Sequence, residues 1–406
     1  MKISLKPLSQ QTMVVTGASS GIGLATALRA AEAGANLVLV ARNEEALKDA
    51  AARVEAAGGR AAYIAVDIAE DGAAERIGTK AEEAFGGFDT WVNNAAAAVY
   101  ARMADMTMEE HRKLFDTGYF GTVAASLYAA KKLRGRGGAI INVGSILSER
   151  AIPIQGGYSA MKHAVLGFTD VLRMELEEED APVSVTLIKP ASINTPYPEH
   201  ARNKMDKPAR VPPVLYDPRL VAKAICFAAE HPKRSLTVGG NGFAITKFGN
   251  AAPRLTDRIM EALFMEKGQS TDQPPAPGTR DNLFEARRDG RIESNQDVYV
   301  RRQSMALEAQ MHPWRTAGIL GAAGLAAGAL WFKLGNKNES DGTGKTSGRT
   351  GNTERRTFTP APPARAHQPD GTDSSASFAA GIADEATIPD ELPRDVPAAS
   401  QTAKRS

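Results

Sequence analysis

The stretch "TMVVTGASSGIGLATALRAAEAGA", residues 12 to 35, reads as three pieces in a row. Residues 13–16 are a short apolar run. A turn with glycines at 17, 21 and 23 follows, and from 22 to 33 apolar residues recur at helical spacing. The pattern lacks the Gly-Lys-Ser/Thr that ends a P-loop, and it is not Gly-x-Gly-x-x-Gly either. Its logic is still that of a dinucleotide site. Glycines let the backbone turn and approach a pyrophosphate, which sits at the helix N-terminus where free N–H groups point outward. A glycine turn can be merely structural, but three glycines at this spacing after the first strand favour cofactor binding.

Outward from this unit the same alternation repeats. Short apolar runs at 36–41, 61–66, 89–93, 139–143, 183–188 and 236–238 are separated by helical patterns at 44–57, 73–85, 108–133, 158–179 and 219–230. Several runs are β-branched without polar alternation, as for strands buried on both faces. The expected fold is α/β: a doubly wound parallel sheet of the Rossmann type, about seven strands with helices on both faces, plus a C-terminal extension.

The texture divides the chain into residues 1–264, the dinucleotide-binding domain; 265–315, a charged linker with little regular structure; 316–334, an apolar Gly/Ala-rich helix; and 335–406, a disordered polar tail rich in Pro, Ser, Thr and Gly. A net charge of +2 demands no nucleic-acid partner. The single cysteine, Cys226, excludes an internal disulfide and any CxxC metal or redox site. No metal-ligating set is picked out. The first residues are polar to Thr12 and lack the apolar core of a signal peptide, so the catalytic part is expected in the cytoplasm.

Residues 316–334 number nineteen if Lys333 snorkels, near the roughly twenty that a spanning helix needs. "GLAAG", 324 to 328, is a GxxxG pattern that favours helix pairing in lipid, and Trp331 suits an interface. Ala and Gly are weakly hydrophobic, however. The segment fits either membrane attachment of the chain or a buried, self-associating helix.

"GGYSAMKHA", 156 to 164, puts Tyr158 and Lys162 four apart, on one helical face. An ammonium beside a phenol favours the phenolate and lowers its pKa, giving an acid/base near neutral pH. Alone, such a pair is more often a surface Tyr and a solvated Lys.

Together these motifs resemble the short-chain dehydrogenase/reductase family over about residues 10 to 245. Its TGxxxGIG loop is matched from Thr16 to Gly23, its NNAG motif by "NNAA" from Asn93 to Ala96, and its YxxxK by Tyr158 and Lys162. Ser145 stands thirteen residues before Tyr158, as the family's catalytic Ser does, and "KPASINTP" matches its Pro-Gly…Thr motif with Ala191 replacing Gly. The resemblance implies an oxidoreductase acting on a small-molecule carbonyl or alcohol, as a homodimer or homotetramer. Ser145 and Tyr158 would bind the carbonyl oxygen, with Tyr158 giving the proton and Lys162 tuning it. Thr16, Gly17, Ser19, Ser20, Gly21, Ile22, Gly23, Asn93, Ala95, Tyr158, Lys162, Pro190, Ile193 and Thr195 would contact the cofactor, and Asp67 would meet the adenine amine.

The cofactor expected is NADP. Ala41 stands where NAD enzymes of the family carry Asp, and Arg42 follows, a guanidinium suited to a 2′-phosphate. One departure matters. Gly118, in "LFDTGYFGTV", stands where the family has an Asn that helps relay protons. Relay through a backbone carbonyl remains open, and so does a nucleotide-binding scaffold of low turnover attached to a membrane or partner. Residues 197–218 are expected to form a flexible lid over the substrate.

Overall fold

The computed structural model describes residues 3–275 and 280–318, together with 321, 324 and 325. Seven strands form one parallel sheet: β1 Thr12–Thr16, β2 Asn36–Ala41, β3 Arg60–Ala65, β4 Thr90–Asn93, β5 Gly138–Val143, β6 Val183–Pro190 and β7 Ser235–Val238. Their spatial order is β3-β2-β1-β4-β5-β6-β7. The order reverses between β1 and β4, the switch point at which open α/β sheets bind ligands beyond the carboxyl ends of their strands.

Helices α1 Gly21–Glu32, α2 Glu44–Ala56 and α3 Ala73–Phe85 follow the first three strands. Helix α4 Met108–Phe115 and α5 Gly121–Leu133 follow β4, α6 Gly156–Glu178 follows β5, and α7 Pro218–Glu230 precedes β7. One apolar layer packs α1, α2 and α7 against the sheet through residues such as Leu24, Leu47 and Ile225. The opposite layer packs α3, α5 and α6 through Ile77, Leu133 and Leu172. Strands β1, β4 and β5 are buried along their whole length, which explains their uninterrupted apolar runs. Local signals set the helix starts: the Asn43 side chain accepts from the Ala46 amide at 2.9 Å, Thr107 and Glu110 form a capping box, and Asp217 caps α7 with Pro218 at its first turn.

The helix expected over 108–133 is interrupted. Residues Asp116–Phe120 form one π-helical turn between α4 and α5, with Gly118 buried inside it. A Cβ on Gly118 would lie 2.6 Å from both Cε and Sδ of Met161, so α6 approaches here more closely than any larger residue allows.

Past β7 the chain forms α8 Gly240–Ala251 and α9 Pro253–Leu263, then turns back across the domain. Within 265–315, Val300–Arg301 pairs in parallel with Leu215–Tyr216, and α10 Met305–Met311 buries Leu307 and Met311 in the main core. Much of this stretch has no regular structure, yet it lies against the sheet domain. Of the apolar segment 316–334, all but 316–318, 321, 324 and 325 lies outside the described residues, as does the whole tail 335–406. Among the described residues no helix is long and apolar enough to cross a membrane.

Candidate active site

A cleft of about 300 Å³ opens at the carboxyl ends of β1, β2, β4, β5 and β6. Its floor begins at the glycine turn. Gly17 takes φ +66° and Gly21 φ +52°, the left-handed region that a side chain disfavours. The neighbouring β4 loop braces the turn: the Asn94 side-chain amide donates to Thr16 O at 2.9 Å and Gly17 O at 3.3 Å. The Thr16 hydroxyl oxygen accepts from the backbone N–H groups of Asn94 and Ala95 at 2.9 and 3.1 Å.

Gly17, Ser19, Ser20, Gly21, Ile22 and Arg42 line this end of the cleft, with Asp67 and Ala95 beside them. Three residues expected at the cofactor stand back from it. Thr16 is fully buried with its hydroxyl committed to the β4 loop. Gly23 lies behind Gly17, where a Cβ would come 2.1 Å from Gly17 O. The Asn93 amide donates to Ser126 and Asn142, both at 2.9 Å, inside a buried network. Asn94, the next residue of the same motif, lines the cleft instead.

Asp67 is held by Lys113 at 2.9 Å and the Ala69 amide at 3.0 Å, with Arg42 3.9 Å away. Burial pushes its carboxyl up, but these three partners outweigh burial and keep it below the usual range. Arg42 has other partners too. Its terminal nitrogens donate to the backbone carbonyls of Asn282, Leu283, Phe284 and Glu285, the last three at 3.3 to 3.5 Å. Nothing in the sequence points to this partner, because any residue supplies a carbonyl.

At the other end stand Ser145, Tyr158 and Lys162, with Pro190, Ile193 and Thr195 alongside. The polar side chains of Ser145 and Tyr197 stand beside the Tyr158 hydroxyl and favour its phenolate. Burial dominates at the phenol and pushes its pKa up, against those two side chains. The Lys162 ammonium donates to Val143 O at 2.7 Å and lies 5.6 Å from the Tyr158 ring centre. Burial lowers its pKa to about 8.

Sequence does not single out Tyr197, beyond its place in the expected lid. Its ring packs edge-on to Tyr158 at 5.5 Å and to Tyr100 at 6.2 Å, and its hydroxyl donates to Gln155 at 3.1 Å. The lid stretch is pinned at several points: Arg202–Asn203 pairs with Val99–Tyr100, and Ala209 bridges Ser270. Beyond Tyr158 the lining turns apolar, with Leu147, Ile152, Val211, Met260 and Phe264. The charge there, Arg150, is paired with Asp257.

Comparison with known proteins fits this geometry. The family described as short chain dehydrogenase matches residues 11–206. The chain is 44% identical over 331 residues to the uncharacterized oxidoreductase YxnA of Bacillus subtilis, covering 81% of this chain and 92% of that one. It is 34% identical over 200 residues to a 3beta-hydroxysteroid dehydrogenase of Mediterraneibacter gnavus, covering 47% of this chain and 69% of that protein. An alcohol dehydrogenase from the archaeon Thermococcus sibiricus, solved with 5-hydroxy-NADP, shares the fold with a TM-score of 0.50 and 24% identity over 56% of this chain and 95% of its own.

Proposed function

The chain belongs to the short-chain dehydrogenase/reductase family of oxidoreductases, and we propose that it uses NADP(H) to interconvert an uncharged, largely apolar carbonyl compound and its alcohol. The observation that carries this reading is the convergence of Ser145, Tyr158 and Lys162 on one end of a cleft whose other end is the glycine turn. The residues fit a dinucleotide. The turn is cradled where a Cβ would collide, since one on Gly17 would lie 2.9 Å from Asn94 Nδ2, and the N–H groups at the start of α1 suit a pyrophosphate. Arg42, with Ala41 supplying no carboxylate, suits a 2′-phosphate. When bound, the dinucleotide supplies or takes up hydride.

The chain's own part is to hold the carbonyl and move one proton. Ser145 Oγ and the Tyr158 hydroxyl donate to the carbonyl oxygen. Burial keeps the Tyr158 phenol protonated, so in the reductive direction it is loaded as the acid that passes its proton to that oxygen. Lys162 would hold the nicotinamide ribose. Its charge near the Tyr158 ring favours the phenolate left after proton transfer. The apolar walls exclude water and select an apolar body. The pairing of Arg150 with Asp257 neutralises the charge on that wall, which then does not draw an acidic substrate.

The test is NADPH and NADH oxidation against a panel of apolar ketones and charged keto acids, with Tyr158→Phe alongside. Tyr158→Phe should remove turnover while leaving NADPH affinity within about twofold, because the hydroxyl acts in the transition state. Full activity in that variant, or a preference for NADH, refutes the proposal.

A further inference from the structure

Residues 281–294 lie across the dinucleotide end of the cleft and use two of its functions. Arg291 O accepts from the Gly21 amide at 2.9 Å, the N–H that opens α1. At the adenosine end, four successive carbonyls from Asn282 to Glu285 take the donors of Arg42. Those are the two places where a dinucleotide phosphate would need a donor. A guanidinium has five N–H groups in a fixed fork, and here both terminal nitrogens face the segment. Asp289 also lines the cleft and adds a carboxylate where a pyrophosphate would bring like charge.

The segment is built to stay there. Leu283 is fully buried among Ala97, Val99 and Leu114. Gly290 O accepts from Arg53 at 2.6 Å. Asp289 meets His200 at 2.6 Å, Arg291 meets Glu199 at 2.9 Å, and the Ser294 hydroxyl donates to Asn194 at 2.5 Å. The strap thus ties α2 on one side of the cleft to the loop after β6 on the other. It is not peculiar to a tail either. A match covering 81% of a 406-residue chain must run through 281–294, so the Bacillus subtilis oxidoreductase aligns across it.

We propose that residues 281–294 are an intramolecular competitor for the dinucleotide: their carbonyls stand in for its phosphates on Gly21 and Arg42, and cofactor binding displaces them. The inference rests on the dinucleotide reading above. The apparent affinity of the closed protein is the intrinsic affinity reduced by the fraction of molecules with the strap open. Loosening the strap therefore tightens binding, the opposite of what a wall of the site would do.

The experiment has two arms on full-length protein. In the first, hydrogen–deuterium exchange of the wild type is followed with saturating NADPH and, separately, NADH. Uptake across 281–294 should rise on binding while the glycine turn becomes protected. In the second, NADPH and NADH are titrated by fluorescence into wild type, Leu283→Ala and Asp289→Ala. Both variants should bind NADPH roughly three- to tenfold more tightly, since each removes an anchor of the strap and none of the cleft's phosphate donors. Protection of 281–294 by whichever dinucleotide binds, or weaker binding in both variants, overturns the strap proposal. A rise in strap exchange with NADH but not NADPH keeps it and overturns the NADP assignment. If wild type binds neither dinucleotide, binding that appears in the loosened variants supports the proposal, and its continued absence refutes it.

Discussion

Replacing Gly118 by Asn supplies the side chain that the resemblance led one to expect at this position, and the structure says what it costs. A Cβ at 118 would sit 2.6 Å from Met161 Cε and Sδ and 3.1 Å from Cγ. Ordinary contacts begin near 3.4 Å, so Met161 must move. Its side chain is flexible but fully buried, packed with Val165 and Leu187 and near Phe115 and Tyr119. Overpacking of this kind costs about 1–3 kcal/mol, and an amide without partners in the same buried spot adds about 1–3 kcal/mol. A net loss of about 2–6 kcal/mol lowers Tm by roughly 4–12 °C in a domain of this size, at about 2 °C per kcal/mol. Thermal unfolding of Gly118→Asn, Met161→Ala and the double variant measures it. Because the clash is shared, the double variant should be about 1–2 kcal/mol more stable than the sum of the singles. Turnover of Gly118→Asn should not exceed wild type, since the Gly118 carbonyl already accepts from Thr122 at 3.0 Å and is oriented without a side chain. A variant that melts with wild type, strict additivity, or a stable variant with much faster turnover would each refute the steric account.

Two further outcomes follow from charge. Burial lowers the Lys162 pKa from 10.5 to about 8. Between these values the unfolded chain binds the proton and the folded one does not, so stability rises with pH across that window and is lowest below pH 8. Lys162→Met should therefore stabilise the cofactor-free protein at pH 7 by about 1–3 kcal/mol, less whatever the lost bond to Val143 O contributed, and flatten the rise above about pH 8. Chemical denaturation at about pH 7 and about pH 10 checks this, and a less stable variant at the lower pH contradicts it. Arg42→Asp should shift preference from NADPH toward NADH by roughly tenfold or more, because charge-assisted bonds to a phosphate are lost and repulsion is added. Since the introduced carboxylate would also repel the strap carbonyls, NADH affinity should hold or rise; a parallel loss for both dinucleotides, read by calorimetric titration, would count against a 2′-phosphate role for Arg42.

What the sequence disclosed follows from which atoms carry each interaction. The strands were legible because parallel strands buried on both faces must be apolar throughout, and the runs at 36–41 and 139–143 say so without help from context. The glycine turn was legible because left-handed backbone at Gly17 and close approach at Gly23 leave only one residue type suitable. The break at 116–120 was not: a π-turn keeps helical periodicity on both sides, and the residue packed against its Gly118, Met161, lies about forty residues away. Within "NNAA" the Asn93 amide is used in a buried network while Asn94 and Ala95 line the cleft, and the spacing of a pattern does not say which of two asparagines faces inward. Tyr197 looks like part of a loose lid, and only packing places its ring beside Tyr158. The strap is the extreme case. Its hold on Arg42 and Gly21 runs through backbone carbonyls, which every residue carries, so it writes no side-chain pattern and composition marks it as linker. The apolar anchor that goes with it, Leu283 under the cleft, is a single residue among charges. A segment that imitates phosphates with its main chain is silent in sequence for the same reason that it can imitate them: the oxygens that matter belong to no particular amino acid.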